Sequence, residues 1–305
     1  MSGRIVNFGS LCIDTVLSVP HLVAPGETLR AERVQRLAGG KGLNQSLAAA
    51  RAGARVVHVG RVGEDGADLL QLLAEAGVDV SHVRVAPDTP TGHAFVQVAA
   101  DGENAIVIVP GANRGSSEAL LDEAVGLLGA GDWLLLQNET DWVPEAIARA
   151  GATEARVALN LAPADAAARH WPLGHVDLFV LNETEAVALT GESEPEAQFA
   201  ALAARAPGAL VALTLGAEGA VLAAGPEAAA PAAPLRLPAF AVEVVDATGA
   251  GDAFTGCLLA ALVQGLKPSA ALRRANAAGA LACTRTGAAP AMPDAAAIAA
   301  LLART

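Results

Sequence analysis

The sequence predicts an α/β fold in which helices cover both faces of a mainly parallel central sheet. From Ser117 onward, short β-branched or leucine-rich runs alternate with helical patterns, which is the element order of a parallel sheet. Polar residues directly follow several of these runs, at the position where ligands bind in open α/β sheets. In addition, 53% of the 305 residues are hydrophobic, which is ample for the buried core of one large domain or two smaller ones.

The predicted strands fall into two groups. Those of the central sheet span residues 4–9, 56–60, 133–137, 155–161, 178–181, 210–215 and 220–224. Residues 28–37, 91–99 and 104–110 alternate between apolar and polar side chains and predict a small sheet outside the core, the last two as a hairpin. Residues 225–238 are rich in alanine and proline and predict an exposed connection.

Charge and cysteine content limit the partners and the compartment of the protein. The formal net charge of −12 and the pI near 4.9 argue against nucleic acid and anionic membranes as partners, since both need a basic face. Cys12, Cys257 and Cys283 are widely spaced and show no metal-ligand spacing, which predicts reduced thiols. Because the N-terminal residues contain no apolar signal core, we expect a soluble cytoplasmic protein.

The segment from Val244 to Gly256 carries the strongest indication of chemistry. A β-branched run gives way to an apolar helical pattern at residues 249–251, Gly-Ala-Gly, so a helix is predicted to begin on three small residues. The free N–H groups and the positive dipole end of such a helix favour a bound anion, above all phosphate. Asp252 falls in the first turn, where it either compensates the helix dipole or takes a proton from a hydroxyl held beside the anion.

A second glycine-rich helix start lies near the N-terminus, at residues 38–46. It lacks the Gly-x-x-x-x-Gly-Lys-Ser/Thr spacing of a P-loop, because Gly42 follows Lys41. With Lys41 and Asn44 it is suited to bind a polyhydroxylated ligand through backbone and side-chain hydrogen bonds. Residues 60–66 form a third glycine-rich stretch, whose spacing departs from a dinucleotide-binding fingerprint.

Several polar residues follow predicted central strands. They are Asp14, Glu139, Asn160, Asn182 with Glu185, and Thr214 with Gly216. A loop aspartate such as Asp14 is often only a turn or cap residue, and residues 182–185 read equally as a helix N-cap with first-turn acids. The residue pattern alone therefore leaves structural and ligand-binding roles open.

The two glycine-rich helix starts resemble the signatures of the ribokinase family, also called the phosphofructokinase B family of carbohydrate kinases. The signature Gly-Gly-Lys-Gly-x-Asn matches at residues 39–44, and Asp-Thr-x-Gly-Ala-Gly-Asp matches at residues 246–252 except that Ala247 replaces its threonine. The resemblance implies a three-layer αβα sandwich with a small β-sheet lid. It also implies one kinase domain over residues 1–305, with lid strands contributed by about residues 14–38 and 91–110.

The resemblance further implies ATP-dependent transfer of a γ-phosphoryl group to a primary hydroxyl of a sugar. The expected substrate is D-ribose, giving ribose 5-phosphate. Alternatives are fructose, another sugar or a nucleoside, and, more remotely, a non-catalytic sugar- or nucleotide-binding role. Asp252 would be the catalytic base, and the amides of Gly249, Ala250 and Gly251 would hold the transferring oxygens.

The family pattern assigns two further sets of residues. The expected sugar-binding residues are Asp14, Gly40, Lys41, Gly42, Asn44, Glu139 and Asp252. The expected nucleotide-binding residues are Asn182, Glu185, Thr214, Gly216, Gly219, Gly251 and Asn276.

Two metal ions and a dimer are implied in the same way. Mg²⁺ would bridge the phosphates, with Asn182 and Glu185 acting through water. Potassium would bind carbonyl oxygens in two loops, those of Asp246, Thr248, Ala282, Arg285 and Gly287. We also expect a homodimer that forms through the lid sheet.

Two departures from the family's ribose kinases affect these expectations. Ala291 replaces a serine at the end of the potassium loop, which predicts a weaker site. Cys12 stands where those enzymes have an asparagine, two residues before the sugar-binding aspartate. Because a thiol is a poor hydrogen-bond partner, the replacement of this asparagine by Cys12 affects which sugar the site is expected to bind.

Overall fold

The computed structural model describes residues 3–228 and 233–304, whose strands form two sheets. The strands are, in chain order, β1 (Ile5–Phe8), β2 (Cys12–Val19), β3 (Arg33–Gly39), β4 (Val56–Gly63), β5 (Asp79–Ala86), β6 (Gly92–Ala99), β7 (Asn104–Val109), β8 (Trp133–Gln137), β9 (Arg156–Asn160), β10 (Leu178–Asn182), β11 (Leu210–Thr214), β12 (Ala220–Ala224) and β13 (Leu235–Leu237). The helices are α1 (Lys41–Arg51), α2 (Ala67–Glu75), α3 (Glu118–Gly126), α4 (Val143–Ala150), α5 (Glu183–Thr190), α6 (Pro195–Arg205), α7 (Ala250–Val263), α8 (Pro268–Ala282), α9 (Ala288–Ala291) and α10 (Ala295–Leu302). Among the helices of these described ranges, none is long and apolar enough to cross a membrane.

The larger sheet confirms the predicted, mainly parallel arrangement. Its strand order is β13-β12-β11-β10-β9-β8-β1-β4-β5, and each neighbouring pair from β11 to β5 is parallel. The β11–β12 and β12–β13 pairs at one edge are antiparallel. Strand β8, Trp-Leu-Leu-Leu-Gln, is buried along its whole length, as expected for a parallel strand with helices on both sides.

Two hydrophobic clusters fill the space between this sheet and its helices. One contains side chains of α1, α2 and α7 to α10, and the other contains side chains of α3 to α6. Ile5 and Val6, which are adjacent in β1, belong to different clusters, because successive side chains of a strand point to opposite faces. The three-layer αβα sandwich is therefore confirmed.

Strand β1 is the topological switch point of the sheet. The chain proceeds from β1 through β4 to β5 on one side and from β8 towards β13 on the other. In open α/β sheets, ligands bind beyond the carboxyl ends of the strands at such a point. The residues that follow β1, β8 and β9 therefore mark the place where a site is expected.

The smaller sheet has the order β3-β2-β6-β7 and is the lid sheet of this protein. Strands β6 and β7 form the predicted antiparallel hairpin, and β2 pairs with β6 in parallel. The register places Asp14 opposite Leu37 and Ala94, and Ala94 opposite Ile108. These four side chains therefore share one face of the lid sheet.

Two strands differ from the prediction in position or existence. The strand predicted over residues 28–37 begins only at Arg33, because β2 ends at Val19 and gives the earlier residues no strand to pair with. The sequence does not predict β5, an edge strand whose exposed positions alternate irregularly with buried ones.

The prediction for residues 225–238 is wrong in part. Strand β13 lies within this segment and pairs with β12, and its Leu235 and Leu237 pack against the core. A three-residue Leu-Arg-Leu strand is too short to show a period of two. Residues 229–232 lie outside the described part of the chain.

Candidate active site

Two helix starts meet close to the loop that follows β1. Helix α1 begins at Lys41, directly after β3, and α7 begins at Ala250 after Gly249, whose φ of 80° lies in the left-handed region that favours glycine. The helices pack closely, since a Cβ at Gly256 would lie 2.6 Å from the Cβ of Ala48. This packing brings the two glycine-rich stretches of the sequence into one site.

The side chain of Asp252 is held between the two helices. Its Oδ2 accepts a hydrogen bond of 2.9 Å from Asn44 Nδ2, and its Oδ1 accepts one of 2.9 Å from Gln45 Nε2. Asp252 is only 7% exposed. A carboxylate with one donor on each oxygen is fixed in orientation and keeps lone pairs for a further donor. Asp252 thus has the geometry of a positioned base.

The first turn of α7 is open beside Gly251. A Cβ at this position would meet no atom within 4 Å, so a ligand can approach the backbone there. The N–H of Ala250 donates to the carbonyl of Ala247 at 3.2 Å, so it is less available to an anion than the sequence suggests. The remaining first-turn amides of this 14-residue helix lie at its positive dipole end.

The loop after β1 fixes the start of α1. The N–H of Gly42 donates to Ser10 Oγ at 3.1 Å, and the N–H of Leu43 donates to the Ser10 carbonyl at 2.9 Å. A Cβ at Gly42 would lie 2.3 Å from the Ser10 nitrogen, so only glycine permits this approach. Gly40, with a φ of 90°, makes the turn from β3 into the helix.

Two carboxylates predicted to bind sugar reach this helix start from different sheets. Asp14 lies within strand β2 of the lid, not in a turn, and its carboxylate covers Gly39, where a Cβ would lie 2.1 Å from Oδ2. Glu139 follows β8, and its Oε2 accepts hydrogen bonds from the N–H of Lys41 at 3.0 Å and from the hydroxyl of Ser10. The structure therefore brings the predicted sugar-binding acids together.

The pKa shifts show that these charged groups act on one another. Burial, together with the carboxylates of Glu139 and Asp252, raises the pKa of Asp14 to about 6. Burial by itself lowers the pKa of Lys41, but the carboxylates of Asp252, Glu139 and Glu185 outweigh burial and raise that pKa. Hydroxyl groups of a polyhydroxylated ligand supply the donors that such a group of carboxylates can accept.

Asn182 and Glu185 form a complete capping box at the start of α5. Asn182 Oδ1 accepts from the Glu185 N–H at 2.8 Å, and the Glu185 carboxylate accepts from the backbone N–H and Nδ2 of Asn182 at 2.9 and 3.0 Å. The helix-cap reading of these residues is therefore correct. Burial raises the pKa of Glu185, which the charges of Lys41 and Asp252 also affect, so the box borders the same site.

Of the other predicted nucleotide-binding residues, Thr214, Gly216 and Gly219 lie at or after the end of β11, and Asn276 lies on α8. The Thr214 hydroxyl donates to the carbonyl of Leu181 at 3.3 Å, and Gly216 and Gly219 adopt positive φ in the turn that follows. Asn276 is buried in α8, and its Nδ2 donates to the carbonyls of residues 237 and 238 at 3.2 and 3.0 Å. This amide group therefore fastens the end of β13, a task that the sequence does not reveal.

The two predicted potassium loops are in contact. The carboxylate of Asp246 accepts from the N–H of Thr248 at 2.9 Å and from the N–H of Gly287 at 2.7 Å. Burial raises the pKa of Asp246, but these hydrogen bonds outweigh it and lower the pKa below its usual range. The N–H of Arg285 donates to the carbonyl of Ala282, at 3.4 Å. Asp246 thus joins the loops whose carbonyls are predicted to hold the ion.

Cys12 lies in β2 on the same face as Asp14. Its Sγ is 3.4 Å from Nδ2 of Asn113, whose amide also bonds to both backbone groups of Leu11. Burial, with the charges of Glu139 and Asp14, raises the pKa of the Cys12 thiol well above its usual range. The thiol is therefore neutral and borders the group of acids described above.

Sequence reasoning missed two buried amides at the centre of the site, those of Gln45 and Gln137. Gln45 bonds to Asp252, and Gln137 donates to Gln45 Oε1 at 2.8 Å. Gln137 ends a leucine run, and that contrast was the available signal, whereas Gln45 lies between Asn44 and Ser46, where the sequence offers no such contrast. Asn160, singled out as a polar residue at a predicted strand end, is the last residue of β9 and accepts from Gln45 Nε2 at 2.8 Å.

Comparison with known proteins gives concordant matches. A model of the pfkB family of carbohydrate kinases matches residues 2–295. A ribokinase of Haemophilus influenzae is 36% identical over 293 residues, covering 93% of this chain and 94% of the relative, and a deoxyribokinase of Salmonella typhi is 32% identical over 293 residues, covering 92% of each. The structure of Arabidopsis thaliana ribokinase complexed with ribose and ATP superposes with a TM-score of 0.84 at 33% identity, covering 99% of both chains.

Proposed function

The chain belongs to the pfkB family of carbohydrate kinases, and from this we propose that it transfers the γ-phosphoryl group of ATP to a primary hydroxyl of D-ribose, forming ribose 5-phosphate. The observation that carries the proposal is the Asp252 carboxylate, buried and held by one N–H donor on each oxygen beside the open first turn of α7. Residues 1–305 are proposed to form a single kinase domain, and the free state of Cys12, Cys257 and Cys283 supports a reducing, cytoplasmic location.

The sugar would lie among Asp14, Asn44, Glu139 and Asp252. Asn44 Oδ1 is buried and has no hydrogen-bond partner among the described residues, because the Nδ2 atom of the same side chain is directed to Asp252. A buried acceptor without a donor costs free energy, and a ligand hydroxyl would remove that cost. The hydroxyl-rich edge of a sugar therefore fits the acceptors that this site offers.

The reaction requires one proton acceptor and charge stabilisation. Bound ATP supplies the phosphoryl group, and ADP is the leaving group. Asp252 takes the proton of the sugar hydroxyl while the hydroxyl oxygen forms its bond to phosphorus. The amide of Gly251, at the positive end of α7, is proposed to stabilise the transferring oxygens, with Gly249 and Ala250 shaping that turn. Lys41, whose pKa is raised, stays protonated and adds a positive charge to the site near Asp252.

The nucleotide is proposed to lie along the turn that contains Thr214, Gly216 and Gly219, with Asn276 beside it. Both glycines take φ values that bulkier residues avoid. A Cβ at Gly216 would meet no atom within 4 Å, so the backbone there is open to a flat base or ribose. Asn276 would contribute to nucleotide binding indirectly, because its hydrogen bonds hold residues 237–238 in place.

Two cations are proposed to assist. Asn182 and Glu185 would hold Mg²⁺ through water, which fits the capping box, since the box uses each Glu185 oxygen once and leaves lone pairs for water donors. Potassium would bind carbonyls of Asp246, Thr248, Ala282, Arg285 and Gly287, and the contact of the two loops through the Asp246 carboxylate fits such a donor set. Each cation would supply positive charge close to the transferring phosphoryl group.

The protein is also proposed to form a homodimer through the lid sheet. The face opposite Asp14 carries the exposed apolar side chains of Val34, Phe95 and Val107, and edge strand β7 is exposed along its whole length. Exposed apolar groups on a sheet edge favour association, and a second copy presents the same face. Net charge of −12 disfavours an anionic membrane as the alternative occupant.

A coupled assay of ADP release tests the proposed function. The panel contains D-ribose, 2-deoxyribose, fructose and adenosine, each with ATP and Mg²⁺, and the same reaction without an acceptor provides the background rate. We expect the highest kcat/KM with ribose. A preference for any other acceptor would reassign the substrate within the family, and ADP release at background level with every acceptor would contradict the kinase activity itself.

A further inference from the structure

A chain of buried amide side chains runs behind Asp252. Gln45 is 0% exposed, and its Nε2 donates to Asp252 Oδ1 at 2.9 Å and to Asn160 Oδ1 at 2.8 Å. Its Oε1 accepts from Gln137 Nε2 at 2.8 Å. Gln137 Nε2 in turn donates to Asn7 Oδ1 at 3.0 Å. The four residues other than Asp252 come from α1, β1, β8 and β9, so several core elements contribute.

The hydrogen bonds among these buried amides allow the side-chain amide of Gln45 only one orientation. Because an N–H of Gln137 occupies Gln45 Oε1, a rotation of the Gln45 amide by half a turn would place two donors against each other and two acceptors against each other. Asn7 is fixed likewise, since its Nδ2 donates to the Gly42 carbonyl and to Ser46 Oγ, both at 2.8 Å. The N–H that meets Asp252 is therefore aimed by residues remote from it.

Gln45 differs in this respect from its neighbour Asn44. Asn44 keeps a free acceptor that suits a ligand hydroxyl, whereas each polar atom of Gln45 is bonded within the protein. With no exposed surface, Gln45 cannot touch sugar or nucleotide. Gln45 can therefore affect the reaction only through the groups that it contacts, and among its hydrogen-bond partners Asp252 is the proposed base.

We propose that Gln45 is a positioning residue of the phosphoryl transfer, which holds the Asp252 carboxylate in its reactive orientation through the Asn7–Gln137–Gln45 amide chain. The inference rests on the proposed function, in which Asp252 is the base. With the Asn44 bond alone, the carboxylate would turn about its Cβ–Cγ bond, and misplacement of a reacting group by about 1 Å can cost about a hundredfold in rate.

Three variants of one type separate positioning from a loss of stability. Gln45, Gln137 and Gln198 are all buried, at 0%, 1% and 2% exposed, and Gln198 lies in α6, where its Nε2 donates to the Glu192 carbonyl. Each is replaced by methionine, which keeps length and removes the amide. We measure kcat, the KM values for ribose and ATP, and the melting temperature of the full-length protein.

We expect Gln45→Met to lower kcat by about 10- to 100-fold with both KM values within about threefold of wild type. Gln137→Met, one bond further from the base, is expected to lower kcat by about 3- to 10-fold, while Gln198→Met lowers the melting temperature without changing kcat. A purely structural role would instead make kcat follow melting temperature across all three variants.

Two outcomes overturn the inference. One is a Gln45→Met enzyme with the kcat of Gln198→Met, and the other is a loss confined to KM. Should Gln45→Met give no folded protein, Gln137→Met decides, since its side chain reaches Asp252 only through Gln45, and a kcat equal to that of Gln198→Met would refute the idea. Absence of phosphoryl transfer in the wild type would instead refute the proposed function, so the two failures are distinguishable.

Discussion

Asn44 Nδ2 lies 2.9 Å from Asp252 Oδ2, although the two residues are 208 positions apart in the chain. The bond joins the helix start that suits a sugar to the helix start that suits a phosphate. An acceptor hydroxyl bound by Asn44 Oδ1 would therefore lie beside the proposed base. In the proposed function, this contact links substrate recognition to proton transfer.

Replacement of Asp252 by asparagine removes the proposed base with little change in shape. We expect kcat to fall by about two to four powers of ten while sugar and ATP still bind, because a positioned base contributes about that factor. The new amide N–H₂ would face the donor of Asn44 or Gln45, so the melting temperature should also fall. Asp132→Asn, at another buried aspartate that accepts from Arg4, is the control and should lose stability alone. Wild-type turnover in Asp252→Asn would remove this residue from the base role.

The Cys12→Asn variant tests the sugar pocket. An amide at this position, on the same lid face as Asp14, would bond a sugar hydroxyl that the neutral thiol cannot hold well. A buried hydroxyl left without its bond costs about 1 to 3 kcal/mol, so we expect KM for ribose to fall by about 5- to 150-fold relative to 2-deoxyribose. Cys12→Ala, which removes the thiol without adding an amide, should show no such gain. If Cys12→Asn binds ribose no better, the side chain does not face the sugar or the substrate is another one.

Potassium should raise both activity and stability relative to sodium at equal ionic strength. We expect a higher rate and a higher melting temperature in KCl, since a ligand that binds only the folded state stabilises it. Asp246→Ala removes the acceptor that ties residues 248 and 287 together and should reduce both effects, whereas Glu243→Ala, an exposed acid nearby, should retain them. Equal rates and equal melting temperatures of the wild type in the two salts would contradict the proposed potassium site.

The buried His58 should make the protein less stable in mild acid. Burial lowers the pKa of His58 to about 4, while its Nδ1 and Nε2 bond to Ser46 Oγ and the Gly9 carbonyl. The histidine is neutral in both states above pH 6.5, and between that pH and 4 only the unfolded chain takes up the proton. We expect His58 to lower the free energy of unfolding by about 3 kcal/mol over this window.

Comparison with His58→Gln isolates this effect. Asp14 acts in the opposite direction, because its pKa is raised to about 6 and the folded state takes up its proton first as pH falls. The stability difference between wild type and His58→Gln, from urea unfolding at pH 7, 6, 5 and 4, cancels the Asp14 contribution. A difference that stays constant over the series would show that His58 does not titrate in this way.

A charge placed on the face of the lid sheet opposite Asp14 should dissociate the proposed dimer. Val107 is 63% exposed on that face, and Val107→Lys would bring two like charges to a symmetric contact. We expect a shift from dimer to monomer in sedimentation velocity, with kcat largely retained. Val85→Lys, at an exposed valine of β5 in the other sheet, should remain dimeric. A monomeric wild type would contradict the proposal directly.

The parts of the site that the sequence predicts depend on local chemistry. Glycines 249 and 251 and Asp252 indicate a helix start and a candidate base because turn geometry and dipole position act within a few residues. The parallel strands are equally visible, since β8 is apolar from Trp133 to Leu136. For the same reason the element order, and with it the fold class, follows from the printed residues.

The missed parts depend on packing between distant segments. Gln45 and Gln137 resemble surface amides until α1, α7 and β8 are assembled around them. Asn276 matches a family position, yet only the structure shows its amide fastened to the carbonyls of residues 237 and 238. Burial of a polar side chain is set by what covers it, and no local pattern contains that information.

Helix α1 leaves the ribosome long before α7 does. Domains fold during synthesis from the N-terminal side, so the N–H groups of Asn44 and Gln45 that donate to Asp252 would lack this acceptor until residues beyond 250 have emerged. A chain interrupted before that point would retain most of the parallel sheet and both acids of the sugar side, yet have no base. Incomplete translation products would therefore be catalytically silent, and sugar phosphorylation would begin only when synthesis is nearly finished.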